Sequence, residues 1–302
     1  MEGRPTVLFG GESPGTGFAV RTVLTNPSTR PGLDLPGRVR MVGGEFPVPV
    51  GHVVLGLVTR VEPADGSDGY LEFEFARVRV AGAVVLEPGE RRDVAFAVPM
   101  PWELPVTVVN GLPRLNLPMA LRTEVALGPD LDRGGLTGVF VHPLPSQERI
   151  MSTFDSLGFT LRQVGLQQGR LPGVRQTLPF HQKIGYWAAP LYAGPFTEIE
   201  LTFLAGPRAL EVVFALDRRL ALAGASHYSL TRFRVPHTDV DHLNWVEVVD
   251  SWVRHAVARH AAVRSGAREG PALSESVNTN RPPDLPPEGE GITGTAGGEG
   301  GI

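Results

Sequence analysis

Between Phe18 and His142 apolar residues recur at every second position, run after run, with no helical spacing between the runs. Val20, Thr22 and Leu24 alternate with polar neighbours, Val53, Leu55, Leu57 and Val61 share one face of the stretch His52 to Glu62, and Leu121, Thr123, Val125 and Leu127 repeat the pattern. A strand points successive side chains to opposite faces, so this period builds sheets with one buried side. Turn pairs such as Pro31-Gly32, Gly43-Gly44 and Pro88-Gly89 separate the runs. Short strands in succession, without crossover helices, predict a β-sandwich over residues 18–142. Within it the apolar set Leu71, Phe73, Phe75 changes phase to Val78, Val80, which one extra residue in a strand produces; a β-bulge is expected near Ala76.

The segment His142 to Ser146 carries Pro143 and Pro145, which disfavour both helix interior and central strand, and it is read as the inter-domain linker. Ser146 is the expected cap of a short helix with Ile150, Phe154 and Leu157 inward and Gly158 at its end. Strands follow at Phe159 to Val164, Ile199 to Leu204, Ala209 to Leu216 and Tyr228 to Val235, and a helix is expected from Asp241 to Arg264 with Leu243, Val246, Val249, Val253, Ala256 and Val257 as its apolar stripe. Val246 and Val253 are both predicted to face the sheet. The second domain, residues 146–264, thus reads as a β-sandwich with a terminal helix. Residues 1–17 read as a disordered leader and 265–302 as a disordered tail; the tail holds nine glycines, five prolines and no aromatic residue, too little apolar area to offset ordering entropy.

Composition narrows the function. With no cysteine, thiolate zinc sites, disulfides and a cysteine nucleophile are all excluded. Before Ser265 the chain has 26 acids and 26 bases, so the body lacks an overall basic footprint for nucleic acid or anionic lipid. Its N-terminal apolar run, Val7 to Phe9, is too short for a signal-peptide core or a spanning helix, which makes the cytoplasm the expected compartment, without stable membrane insertion.

Two motifs carry candidate chemistry. Gly10 to Gly17 has the glycines of a phosphate-binding loop, but Phe18 stands where the lysine belongs and no strand leads into it. The segment His237 to His242 offers His237, Asp239, Asp241 and His242, ligand types that suit zinc or a similar ion, and it resembles in part the HxHxDH pattern of metallo-hydrolases. Asp239 departs from that pattern, and a helix entry with Asp239 or Asp241 as cap is the simpler reading. Trp245 and Trp252, seven apart, are expected to close the core of their own domain, with partner anchoring as their other use. Neither a nucleophile elbow nor a cofactor motif is recognisable, so no catalytic and no cofactor-binding residue is assigned.

Residues Thr22 to Glu62 resemble the opening of the bacterial sporulation-control family of the stage-zero sporulation protein M type. The shared pieces are Thr22 to Pro27 with Pro31 and Gly32, then Gly43-Gly44, then Leu55 to Glu62. Pro88-Gly89-Glu90, Pro105-Val106-Thr107, Val141 to Leu144, Gly194-Pro195-Phe196 and Leu210 to Arg219 extend the likeness, which covers about residues 18 to 264. The resemblance implies a mainly β protein of two tandem arrestin-like β-sandwich domains. It also implies a non-catalytic adaptor, a regulator of sporulation or cell differentiation that works through protein–protein interaction. Partners are then other proteins, or a second copy in a homodimer, engaged at sandwich edges or in the cleft between the domains. The alternative is a metal-dependent hydrolase centred on His237 and His242.

Overall fold

The computed structural model describes residues 17–65, 67–114, 116–127, 130–217 and 229–265. The leader and tail expectations therefore lie outside the described residues, apart from Gly17 and Ser265. The chain is mainly β, as its period predicts.

In the first half, β1 (Ala19–Leu24), β3 (Asp34–Val42) and β7 (Arg91–Pro99) form one antiparallel sheet, and the short β2 (Ser28–Thr29) lies between β1 and β3 in the chain, outside that sheet. A second sheet runs β11 (Asp130–Gly138), β10 (Met119–Leu127), β4 (Val48–Val61), β5 (Leu71–Ala81), with β6 (Val84–Leu86) beside β4. Their facing sides meet in a core where Leu35, Val39 and Met41 pack with Leu55, Leu57 and Leu121, all of them buried. Thr22 and Thr123, the polar members of otherwise apolar runs, satisfy each other inside it with hydroxyls 2.5 Å apart. The outer side of β4 is covered by charge: Arg77 pairs with Glu74 and Glu124, and Arg122 with Glu72.

The bulge lies where the phase change predicts. Leu57 pairs with Ala76 and Val58 with Glu74, leaving Phe75 as the extra residue. Phe73 and Phe75 both meet Phe180 edge-on, with ring centroids 5.7 and 5.3 Å away, so the irregular strand delivers two aromatic rings to the second half.

The connection between the halves is held rather than loose. The pair β8 (Val108–Val109) and β9 (Leu112–Pro113) precedes β12 (Phe140–Val141), which runs parallel to β2. His142 N–H donates to Thr29 O at 2.9 Å, Pro143 is buried, and Pro145 starts α1 (Pro145–Ser156). A proline there loses nothing, since the first helical N–H has no partner within the helix. The cap position is Leu144 and not Ser146, and Gln147 Oε1 accepts Leu144 N–H at 2.8 Å. Ile150 and Phe154 point inward, and Gly158, at φ +87°, follows the helix.

The described strands of the second half form one antiparallel sheet: β13 (Thr160–Gln168), β14 (Phe180–Trp187), β15 (Glu198–Ala205), β16 (Ala209–Leu216) and β17 (Ser229–Pro236). One face is covered by α1 and by α2 (Trp245–Arg264). Phe154 tilts against Tyr186 at 5.1 Å, and Trp252 stacks on Phe233 at 4.7 Å. The apolar side of this sheet thus meets helices. Both tryptophans close the core, as expected, and Trp245 Nε1–H donates to Val240 O at 2.9 Å.

The terminal helix departs from expectation in phase and start. It begins at Trp245 with Asn244 at the cap position, in place of Asp239 or Asp241. Trp245, Val249, Trp252, Val253 and Ala256 face inward, and Val246 is 51% exposed. The larger indole of Trp245 takes the buried position, which rotates its neighbour by about 100° toward solvent. Among the described residues no helix is long and apolar enough to cross a membrane.

Candidate partner-binding cleft

The two halves share one core. Val61 at the end of β4, with Val106, Val109 and Leu117 from the first half, packs into the cluster formed by α1, α2 and the second sheet. β4 runs on into that sheet: Glu62 N–H donates to Leu166 O at 2.8 Å, and Gln168 N–H to Glu62 O at 2.9 Å.

Side chains then clamp the junction. Gln182 Oε1 accepts Val106 N–H at 3.0 Å while its Nε2–H donates to Val106 O at 2.7 Å, so one buried amide imitates a strand partner. The Glu103 carboxylate accepts Thr177 N–H at 2.8 Å and Leu178 N–H at 3.0 Å. Trp102 lies over Gly32, where a Cβ would come within 2.6 Å of the indole, and stacks on His237 at 5.8 Å. This is the physical need for glycine in the Pro31-Gly32 pair: φ is +76° and the ring leaves no room for a side chain.

Beside these clamps opens a cleft of about 650 Å³. Its walls are Pro101 and Trp102 from the first half and the β15–β16 turn, Gly206 to Arg208, from the second. Arg175, Arg208 and Arg234 reach its rim, with Glu211 opposite Arg234 in the β16–β17 register. All three arginines are exposed.

The candidate metal ligands are placed as follows. His237 Nε2–H donates to Gly206 O at 2.8 Å, in a 3-10 turn of residues 237–239, and its ring forms the support under Trp102. Asp239 Oδ1 accepts from Thr238 Oγ1 at 2.8 Å, and Asp241 and His242 are exposed. Among the described residues no group of three or more His, Asp or Glu side chains is arranged to hold a metal ion, and these four are not brought together as one. His237 thus supports Trp102 and holds Gly206, two residues that line the cleft, a role its sequence neighbours do not signal.

A second constellation was not legible beforehand. Ser229 Oγ lies 3.2 Å from His260 Nδ1, and His260 Nε2 3.5 Å from Asp217 Oδ2. The residue types are those of a nucleophilic triad, but none of the three reaches solvent, with exposures of 5%, 0% and 4%. The other Asp217 oxygen accepts Thr197 N–H and Glu198 N–H. The arrangement ties the end of α2 to β15, β16 and β17 inside the core. Its one sequence signal is the position of His260, four residues after Ala256 on the buried stripe.

A profile of the family described as SpoOM protein matches residues 12–220. The sporulation-control protein spo0M of Bacillus subtilis (strain 168) is 27% identical over 210 residues, covering 68% of this chain and 78% of the relative. The crystal structure of Spo0M, sporulation control protein, from Bacillus subtilis superposes with a TM-score of 0.68 at 22% identity, over 81% of this chain and 99% of the other. That superposition concerns the fold.

Proposed function

Because this chain belongs to the SpoOM protein family, we propose that it regulates sporulation or a related step of cell differentiation as a non-catalytic cytoplasmic adaptor that binds other proteins. The observation that carries the reading is the junction. Its halves share a core and are clamped by Gln182, Glu103 and the Glu62 bridge, and they frame a concave cleft open to solvent. A surface assembled from two fused halves is preorganised, so a partner docking there does not bear the cost of ordering it. The non-catalytic part of the reading is supported by His237, whose Nε2–H is already spent on a backbone carbonyl and whose ring supports Trp102.

Deleting the gene and scoring spore formation tests the regulatory part. Restoration by the wild-type chain and by the variant His242→Ala, at an exposed position away from the cleft support, favours an adaptor. If His242→Ala folds with an unchanged circular-dichroism spectrum and fails to restore, or if the purified chain carries stoichiometric zinc or iron, the metal-dependent hydrolase replaces it.

A further inference from the structure

We propose that the junction cleft is a recognition site for an acidic peptide segment of a partner protein, held by Arg175, Arg208 and Arg234 against the face of Trp102. The inference rests on the adaptor reading and specifies the chemistry of its partner.

The body of the chain is balanced, yet three guanidinium groups converge on one concavity, and among the described residues none of them has an ion pair. Several arginines elsewhere lie beside carboxylates, Arg77 by Glu74 and Glu124, Arg122 by Glu72, Arg254 by Asp250, whereas these three gather on one concave surface. Two acids line the cleft as well, Glu103, whose oxygens are turned to the Thr177 and Leu178 N–H groups, and Glu211, so three cations against two anions leave it net positive by one charge. A concave surface with low-dielectric walls focuses such a field, and planar guanidinium groups match carboxylates in a two-point geometry.

Shape and surroundings choose the ligand class. A volume of about 650 Å³ exceeds what a single inorganic anion fills and lies in the range of sites that enclose a larger ligand. The apolar floor of Leu204, Ala205 and Ala209 beside Pro207 and Trp102 gives aliphatic or aromatic side chains of a peptide something to cover. A nucleic acid would leave the cleft onto a body of equal positive and negative charge and lose the phosphate contacts that sustain its binding. A recessed cleft, for its part, offers little to a flat bilayer.

Panning the full-length protein against a random twelve-residue peptide display library tests the proposal. Enriched peptides should carry an excess of Asp and Glu. Their affinity, read by fluorescence anisotropy, should fall about tenfold or more in Arg208→Ala with Arg234→Ala and should weaken with added salt. Arg91→Ala, at the opposite end of β7, should leave it unchanged. The three cleft arginines are exposed and, among the described residues, have no ion pair, so these variants should melt like the wild type. Enrichment without acidic bias, no enrichment, or acidic peptides that bind the arginine variant equally well would overturn the proposal. So would inorganic phosphate binding with an affinity equal to that of the peptides, which marks a small-anion site. The two readings are separable: if partners captured from cells persist with the arginine variant, the adaptor stands and the cleft assignment falls.

Discussion

Lys183, the single lysine of the chain, places its Nζ 2.6 Å from Glu62 Oε2, joining β14 of the second half to the end of β4 of the first. The two partners are unequally exposed, 11% for the lysine side chain and 37% for the glutamate. Removing the lysine leaves a carboxylate that water can reach; removing the glutamate leaves a mostly buried ammonium. Glu62→Ala is therefore expected to cost more than Lys183→Met, about 2–3 against about 1 kcal/mol in urea unfolding, with a positive coupling in the double variant. Equal costs would show that the ion pair does not couple the halves.

The Gln182 clamp makes a sharper demand, because its amide is buried and satisfies both the N–H and the C=O of Val106. Gln182→Leu keeps the volume but orphans two backbone groups, for an expected loss of about 2–4 kcal/mol. In contrast, Tyr186→Phe should be neutral or stabilising, since Tyr186 Oη is buried with no hydrogen-bond partner among the described residues. Thermal melts of the two variants should move in different directions or by clearly different amounts.

Much of this arrangement is written locally and some of it is not. The alternating strands, the bulge at Phe75 and the aromatic closure by Trp245 and Trp252 follow from short-range pattern, and each is found close to its expected place. The strand β14 escaped the same reading. Phe180, Gln182, Ile184 and Tyr186 alternate, but His181, Lys183 and Gly185 between them are buried as well, so polarity does not mark an outer face. Its Gln182 and Lys183 acquire meaning only from Val106 and Glu62, which are remote in sequence. The cleft is nonlocal in the same way: Trp102, Arg175, Arg208 and Arg234 come from separate loops and strands, and only the fold assembles them.

The inward and outward faces of α2 should respond unequally to a charge. Val253 is buried against the sheet and Val246 is exposed, so Val253→Asp should cost several kcal/mol, about 3 or more, and Val246→Asp about 0.5 kcal/mol or less. His242→Ala, at an exposed site, should match Val246→Asp, whereas His237→Ala should cost about 1–2 kcal/mol for its bond to Gly206 O and its stack on Trp102.

Two helix acids should respond to pH with opposite signs. Partial burial pushes the Asp155 carboxyl above the usual carboxylate range, against the bond from Asn110, and the residue sits in the last turn of α1, where the helix dipole disfavours an anion. A raised folded value means that its contribution is favourable in acid and lost as pH rises through that value. Asp155→Asn should then stabilise at pH 7, by about 0.5 kcal/mol, and not near pH 3. For Asp250 the bond from Arg254, helped by the Tyr192 hydroxyl, holds the carboxyl below its ordinary value, while burial and Asp250 push the Tyr192 phenol up to about 12. A depressed folded value gives stability that is present above the unfolded carboxylate pKa and lost as pH falls through the folded one. Asp250→Asn should therefore lower the melting temperature at neutral pH, with the difference shrinking in strong acid.

Site-specific photo-crosslinking in differentiating cells tests the central claim most directly. A photo-reactive phenylalanine analogue is placed in the full-length chain at Pro207 in the cleft wall or, as control, at Arg91 at the far end of β7. An adaptor that docks partners at the junction predicts a discrete protein adduct from position 207, lost when Arg208 and Arg234 are replaced by alanine, and none from position 91. Adducts of equal pattern from both positions, or none from 207 in cells where deletion of the gene changes spore formation, would contradict it.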